Sequence, residues 1–270
     1  MRSSSSGPLG LLIFFFLACS PASGEKGPGD QPPQAAATAV DSLEGDFLYQ
    51  VVTLRAAPGR LLDLIEMLKE ERDLMELAGE PAPLWMRHTQ GDQWDLLILY
   101  PMGSFHEYYE PVRTERRLEA GTQKGMSERQ LRIEVDAVTS WRDEMFVRGP
   151  DLPVVEAAFD LNGYYHVEMF VALAGRRREL LEERRMENHY LRELGRPQNL
   201  LFVREAGGPW DSFTLGFYRD IKHYSESADI SAEAEDRAAK AAGFQGADQI
   251  GSYLRRFLLY HRDTLCVAIG

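Results

Sequence analysis

Cysteine is almost absent from this chain of 270 residues, which has only Cys19 and Cys266. Two cysteines cannot build a disulfide framework, and none can form within the chain if Cys19 carries a modification. Cys266 lies in the apolar run 264–269, which predicts a buried strand residue.

Common catalytic signatures are also missing. The chain has no HExxH, GxSxG, Walker loop, GxGxxG or CxxC sequence. No two histidines are four residues apart, which excludes a zinc pair carried on one helix. A site assembled across several elements stays open, but the sequence alone predicts no metal site. The scattered histidines are His88, His106, His166, His189, His223 and His261.

Positive charge is in short supply, with 30 Lys and Arg against 42 Asp and Glu and a formal net charge of -12. Such a surface repels phosphate backbones and anionic lipid headgroups. We therefore expect no nucleic-acid partner and no membrane docking through a basic patch.

Long hydrophobic runs are missing except for Leu11 to Leu17, which is too short to span a bilayer. Its position predicts a secretory signal peptide over residues 1–18. The sequence from Phe16 to Cys19 resembles a bacterial lipobox, which implies that Cys19 becomes the lipid-modified first residue. An ordinary signal peptide cut after Ala22 or Gly24 is the alternative.

Residues 19–45 are predicted to form a disordered tether. Within this range, the stretch from Ser20 to Val40 is rich in Pro, Gly, Ala and Ser and has almost no large apolar side chain. It therefore cannot bury enough surface to order itself. Together with Cys19, this predicts an exported protein anchored by lipid at the periplasmic or extracellular face of a bacterial cell envelope. The membrane would be contacted only through that anchor.

The rest of the chain is duplicated at a constant spacing of 116 residues. Identical residues at this spacing include Tyr49 and Tyr165, Gly59 and Gly175, Glu71 and Glu187, Gly91 and Gly207, Trp94 and Trp210, and Asp95 and Asp211. Near the end, Trp141-Arg142-Asp143 and His261-Arg262-Asp263 correspond at a spacing of 120. We expect one repeat over 46–149, a linker over 150–160 and a second repeat over 161–270.

Each repeat has the pattern of a β-α-β-β-α-β unit. Phe47 to Arg55 is apolar on both faces and predicts a strand covered on both sides. A helix to about Ala78, a hairpin around Gly91 and a last strand at Trp141 to Val147 complete the unit. Residues between the predicted helices near Tyr108 and Val135 form a polar stretch without an assigned element.

Two such units in tandem resemble the dimeric α/β-barrel superfamily. The resemblance implies an α+β fold in which two ferredoxin-like repeats close into one intrachain barrel, so that no oligomer is required. It also implies candidate activities, because the superfamily includes small monooxygenases, haem-degrading enzymes and chlorite dismutase-like haem proteins. Fold alone does not select among them.

Three bulky side chains on the third strand of the first repeat correspond to small residues in the second repeat. Leu96, Ile98 and Tyr100 correspond to Ser212, Thr214 and Gly216, while His166 and Glu168 replace Gln50 and Val52. Lost volume beside titratable groups predicts a pocket for a small apolar or aromatic ligand. The alternative is that helix or linker side chains fill the space. The pocket candidates are His166, Glu168, Glu187, Trp210, Ser212, Thr214, Tyr218 and His223.

Arg184 stands one turn before Glu187, where the first repeat has Leu68. We expect a surface ion pair between them, with the side-chain stems lying along the sheet. Glu71 takes the place of Glu187 in the first repeat.

The superfamily resemblance also allows a comparison with haem-degrading members, which use an Asn, a Trp and a His. The corresponding places hold Gln50, Trp94 and His106 in the first repeat, and His166, Trp210 and His223 in the second. Neither repeat has the Asn. Haem is therefore a candidate cofactor that only the resemblance implies.

Three functions follow from these observations. The first is an envelope lipoprotein that binds a small molecule, mainly in the second repeat. The second is an oxidoreductase of the same fold, either a small monooxygenase or a haem-linked enzyme. The third is a non-catalytic protein-interaction module on a tether.

Overall fold

A computed structural model describes residues 43–269 of the chain. The predicted signal peptide, Cys19 and nearly all of the predicted tether lie outside the described residues. Among the helices within this range, none is long and apolar enough to cross a membrane.

The first half consists of four strands and four helices. In chain order they are β1 (Phe47–Ala56), α1 (Leu61–Leu77), β2 (Leu84–Gln90), β3 (Leu96–Gly103), α2 (Phe105–Tyr108), α3 (Pro111–Lys124), α4 (Glu128–Ala137) and β4 (Thr139–Gly149). A further helix, α5 (Leu152–Leu161), follows in the segment predicted to link the repeats.

The second half repeats the order of the strands. Its elements are β5 (Tyr164–Ala172), α6 (Arg177–Glu193), β6 (Leu200–Gly207), β7 (Ser212–Tyr218), α7 (Ile221–Ser225), α8 (Ala232–Ala241), α9 (Ile250–Leu254) and β8 (Leu258–Ala268), with short 3-10 turns at Glu226–Asp229 and Ala247–Gln249.

All eight strands form one closed antiparallel ring in the order β1-β3-β2-β8-β5-β7-β6-β4. Each half contributes four strands, and the pairs β2–β8 and β4–β6 join the halves. The fold is thus α+β with two ferredoxin-like units closed within one chain, as the resemblance implied. Closure pairs every strand on both sides and removes the exposed edges that an open sheet would have.

Side chains alternate between the inside of the ring and the helix layers outside it. The interior core draws on both halves and includes Tyr49, Val51, Tyr165 and Val167, while Val52 and Leu54 pack outward against α1 and α4. The prediction of a first strand covered on both faces is therefore correct. Cys266 is fully buried on β8, inside the ring, as its apolar run indicated.

The recurrence of Asp95 as Asp211 in the second half has a structural reason. The Asp95 carboxylate accepts a hydrogen bond from the Ala56 N–H at 2.8 Å, and Asp211 accepts one from Ala172 at 2.9 Å. Each aspartate thereby satisfies a backbone donor at the end of the first strand of its half.

The register of β4 and β8 corrects the sequence correspondence by one residue. Glu144 lies opposite Val52, and Asp263 lies opposite Glu168. Glu144 is therefore the counterpart of Asp263, and Arg142 is the counterpart of His261, at a spacing of 119 rather than 120. A shift of one residue reverses the face on which a side chain lies, so the correction changes which residues can form a site.

Candidate functional site

Several pocket candidates of the second half do meet between the sheet and α6. Glu168 and Thr214 lie opposite one another on β5 and β7, and the Thr214 hydroxyl donates to the Glu168 carboxylate at 3.1 Å. Glu187 approaches the same place from α6. The centre of this group is the side chain of Arg184, which is only 2% exposed.

Arg184 binds three carboxylates at once. Its guanidinium is 2.6 Å from the Glu187 carboxylate, 2.5 Å from that of Glu183 and 3.8 Å from that of Glu168. It also stacks over the ring of Phe170 at 4.7 Å. The predicted Arg184–Glu187 pair exists, but the expectation of a surface pair is wrong for Arg184, which is buried beneath its helix.

The predicted void beside Ser212, Thr214 and Gly216 is filled. A side chain added at Gly216 would meet the amide oxygen of Asn199 at 2.7 Å and the ring of Tyr218 at 3.1 Å. Ser212 and Thr214 are themselves buried. The side chains of Tyr218, Asn199 and Arg184 fill the space left by the small residues of β7. This is the alternative that the sequence analysis left open.

Trp210 does not share the face of Ser212 and Thr214. It packs against the interior core of the ring, as Trp94 does in the first half, whereas Leu96 and Ile98 face the helices. Both tryptophans precede their strands, where the regular alternation has not yet begun. The assignment of Trp210 to the pocket face is therefore wrong.

His166 and His223 lie on different elements of the second half, β5 and α7. The Nε2 atom of His166 is 3.7 Å from Asp263 on β8. The Nδ1 atom of His223 accepts a hydrogen bond from the Arg219 N–H at 3.1 Å, and its ring contacts that of Tyr218. Burial and neighbouring arginines lower the pKa of His223, so it is a neutral acceptor near pH 7.

Negative charge exceeds positive charge inside this cluster. Burial raises the pKa of Glu187 to about 7, with Arg184 opposing and Glu168 and Glu183 adding to the rise. Burial also raises the pKa of Glu183, whose Oε1 atom has no hydrogen-bond partner among the described residues. One arginine therefore only partly compensates the carboxylates packed around it.

The first half contains a cavity in the equivalent layer. Its volume is about 540 Å³, part of it open to solvent, between α1, α3, α4 and the outer face of the sheet. Its lining combines aromatic, aliphatic and charged side chains: Gln50, Glu71, Leu74, Met75, Tyr100, Tyr108, Arg117, Glu128, Arg132 and Arg142. The sequence analysis expected the pocket mainly in the second repeat, whereas this cavity lies in the first.

A carboxyl and a phenol meet at the inner wall of this cavity. The Tyr100 hydroxyl donates to the Glu71 carboxylate at 2.9 Å. Burial raises the pKa of Glu71, although the hydrogen bond and the nearby Arg132 and Arg142 oppose the rise. Burial and the Glu71 charge likewise raise the pKa of Tyr100. The pair can therefore hold a proton that a bound molecule gives up.

Arginines surround the same space. Arg142 pairs with Glu144, which also accepts a hydrogen bond from Gln50 Nε2 at 3.0 Å, and Arg132 is 3.6 Å from Glu144. Across the cavity, the guanidinium of Arg117 lies 4.4 Å from the centre of the Tyr108 ring. The cavity thus combines an apolar floor with guanidinium groups that suit an anion.

The Arg117 side of the cavity is held by a buried carboxylate. Glu80 is 1% exposed and pairs with Arg113 and, at 3.4 Å, with Arg117. The guanidinium of Arg113 lies 5.0 Å from the Tyr108 ring. Both arginines belong to α3, which formed in the polar stretch to which the sequence assigned no element.

Sequence reasoning missed this cavity because it treated the first repeat as solid. One signal was available, since Glu71 interrupts an apolar helix stripe that holds Leu64 and Leu68 and faces a strand with Tyr100. The contribution of α3 carried no comparable signal, because its residues are mostly polar and only the fold places two of its arginines against Tyr108.

The residues present do not fit a haem. Iron in haem proteins takes an axial His, Cys, Met or Tyr. No His or Cys lines the first-half cavity, so Met75 has no histidine beside it to complete a Met/His pair. Tyr100 is bonded to Glu71, and the Tyr108 ring is covered by arginines. In the second half, Arg184, Asn199 and Tyr218 occupy the space beside the candidate histidines.

Comparisons with known proteins identify the fold only. No protein-family model matches the chain, and no curated protein sequence is significantly similar to it. Among solved structures, an anthrone oxidase-like protein matches with a TM-score of 0.50 and 13% identity, over 84% of this chain and 94% of that one.

Two further structures match less closely. A candidate monooxygenase from Lactobacillus acidophilus gives a TM-score of 0.46 at 5% identity, over 82% of this chain and 92% of its own. A heme-binding protein from Thermus thermophilus gives 0.40 at 13% identity, over 83% and 92%. At 13% identity, the match to the anthrone oxidase-like protein shows a shared fold and nothing about chemistry.

We predict that Arg184→Leu destabilises the protein by about 3–5 kcal/mol, because it leaves buried carboxylates without their cation. Leucine is the residue that the first half has at this position. The triple variant Glu168→Val, Glu183→Met, Arg184→Leu, which copies the first half at three positions, should regain part of that loss. Urea unfolding in the presence of EDTA measures both.

Arg185→Leu is the matched control, since Arg185 is 41% exposed and pairs with Glu44 and Glu182. Exposed pairs of this kind contribute less than about 1 kcal/mol. An Arg184→Leu variant as stable as Arg185→Leu would contradict the central role of Arg184.

Proposed function

We propose that the protein binds a small, planar, partly apolar organic acid in the first-half cavity. The observation that carries the proposal is the Glu71–Tyr100 pair at the wall of a space of about 540 Å³, faced by Arg132 and Arg142. Concave spaces with apolar walls and a few convergent polar groups are the usual form of a small-molecule site.

The lining favours one class of ligand. Leu74, Met75 and the tyrosine rings offer flat apolar contact, which favours an aromatic or conjugated skeleton. The guanidinium groups favour a carboxylate, sulfonate or phenolate on that skeleton. The net charge of -12 repels anions over the whole surface, so these arginines would be what makes the cavity selective for an acid.

The probe 1-anilinonaphthalene-8-sulfonate has both features and fluoresces when it leaves water. We predict that the folded protein binds it at one site, and that Arg142→Gln weakens the binding about tenfold because a charge-assisted hydrogen bond is lost. A fluorescence titration at low ionic strength measures the dissociation constant.

Arg262→Gln serves as the control, since Arg262 is an exposed arginine on the second-half strand β8. It should bind the probe as the unchanged protein does. Equal weakening in both variants, or binding at many sites that is indifferent to Arg142, would refute the assignment of the cavity.

An oxidoreductase is the second candidate function, and Glu71 is the observation that favours it. A carboxyl whose pKa is raised by burial can act as a base near neutral pH. The reaction would remove a proton from an activated carbon of an aromatic substrate and pass electrons to dioxygen. For anthrone, the balanced products are anthraquinone and water. The fold shared with an anthrone oxidase-like protein makes anthrone a reasonable first probe.

If this activity exists, Glu71→Gln should lower kcat about a hundredfold or more, with KM little changed. Tyr100→Phe removes a hydrogen bond that stabilises the Glu71 carboxylate, so the acid limb of the pH–rate profile should move to higher pH. Oxygen consumption and quinone absorbance measure both effects. Tyr218→Phe in the second half should leave the rate unchanged. A rate that Glu71→Gln does not lower would leave the binding function alone.

We also propose that the protein is exported and anchored by lipid at Cys19 on the bacterial envelope. What supports this is the sequence, in which a short apolar run ends at a single cysteine ahead of a stretch rich in Pro, Gly and Ala. Metabolic labelling with an alkyne palmitate should mark the protein.

Cys19→Ser should abolish the label, whereas Cys266→Ala should retain it, because Cys266 is buried on β8. A mature protein that begins after Ala22 or Gly24 and carries no label would instead establish ordinary cleavage.

A further inference from the structure

Two short motifs lie side by side on neighbouring strands of the second half. His166-Val167-Glu168 belongs to β5 and His261-Arg262-Asp263 belongs to β8, and Glu168 lies directly opposite Asp263. Residues two apart on a strand share a face. His166, Glu168, His261 and Asp263 therefore all lie on the face of the sheet that is turned away from the ring interior.

The potential ligand atoms are already close together. One atom each of His166, Glu168 and Asp263 lies within 4.8 Å of the other two. Ligand atoms that bind one zinc ion at 2.0–2.2 Å are separated by roughly 3–4 Å, so small rotations of these side chains would bring all three onto a common ion. We propose that His166, Glu168 and Asp263 form a binding site for a divalent transition-metal ion.

The surrounding residues hold two of these ligands in place. The Thr214 hydroxyl donates to Glu168 at 3.1 Å, and the His261 Nε2 atom is 3.1 Å from the other oxygen of Asp263. Outer contacts of this kind orient the ligands of a metal. Asp263 is about half exposed, which gives an ion access from solvent.

Several carboxylates surround the proposed metal site. Three carboxylates, those of Glu168, Glu183 and Glu187, lie against one buried guanidinium. A fourth, that of Asp263, stands opposite Glu168 on the neighbouring strand. A divalent ion between Glu168 and Asp263 would offset the excess. Its ligand set of one imidazole and two carboxylates suits Zn²⁺, Mn²⁺ and Fe²⁺.

The first half shows what the same positions do without such a site. There the counterparts of His166, Glu168, His261 and Asp263 are Gln50, Val52, Arg142 and Glu144. Glu144 binds the guanidinium of Arg142 and the amide of Gln50. The second half keeps the central carboxylate but replaces both partners by imidazoles, which can bind metal, and gains a second carboxylate. In the first half an arginine pairs with the carboxylate of Glu144, whereas in the second half only histidines lie beside the carboxylate of Asp263.

The test uses the folded protein after treatment with EDTA, titrated with Zn²⁺ by calorimetry, with metal content measured by mass spectrometry. We expect one Zn²⁺ per chain. His166→Gln and Asp263→Asn should each weaken binding by at least about tenfold. Glu144→Gln, the matched change in the first half, should bind Zn²⁺ as the unchanged protein does.

A second readout needs no variant. Zn²⁺ should protect His166 from diethylpyrocarbonate, while His106, whose side chain is 90% exposed, should react equally with and without the ion. Absence of stoichiometric binding, unchanged binding in the double variant of His166 and Asp263, or equal reactivity of His166 with and without Zn²⁺ would each overturn the proposal.

Discussion

The pairing of strand edges is the constraint on which the rest of the structure depends. Each half is a four-stranded sheet with two edges, and an unpaired edge leaves a row of backbone donors and acceptors without partners. The pairs β2–β8 and β4–β6 satisfy these edges within one chain. Closure then separates two environments, an apolar interior shared by both halves and an outer layer that belongs to each half alone.

Apolar side chains from both halves fill the interior of the ring, and the two candidate sites lie in the outer layers. The two halves filled those layers differently. Around the first sheet, a buried Glu71–Tyr100 pair and several arginines border an open cavity. Around the second, Arg184 occupies the corresponding space together with the carboxylates it binds. Leu68 and Arg184 occupy the same position of the repeat, so one exchange accounts for much of the contrast.

The duplication allows each half to serve as a reference for the other. The central carboxylates Glu144 and Asp263 stand at the same place in the ring, yet one is bound by arginine and glutamine and the other by two histidines. The first arrangement places guanidinium groups beside a cavity suited to an organic acid. The second collects imidazole and carboxylate groups with an excess of negative charge. By our two proposals, the same backbone supports anion binding in one half and cation binding in the other.

The order of the elements and their duplication could be predicted from the sequence, because both are read from the order of residues without knowing which segments touch. The resemblance to dimeric α/β barrels then implied that the two units close into one ring. The sequence also identified most of the residues of the second-half cluster, His166, Glu168, Thr214, Tyr218 and Glu187. It did not determine which half is open. That depends on how far Arg184 and Tyr218 reach across the helix layer, and on a register that differs by one residue from the correspondence seen in the sequence. Long side chains and strand register are set by packing between distant segments, so only the tertiary structure decided where a ligand could enter.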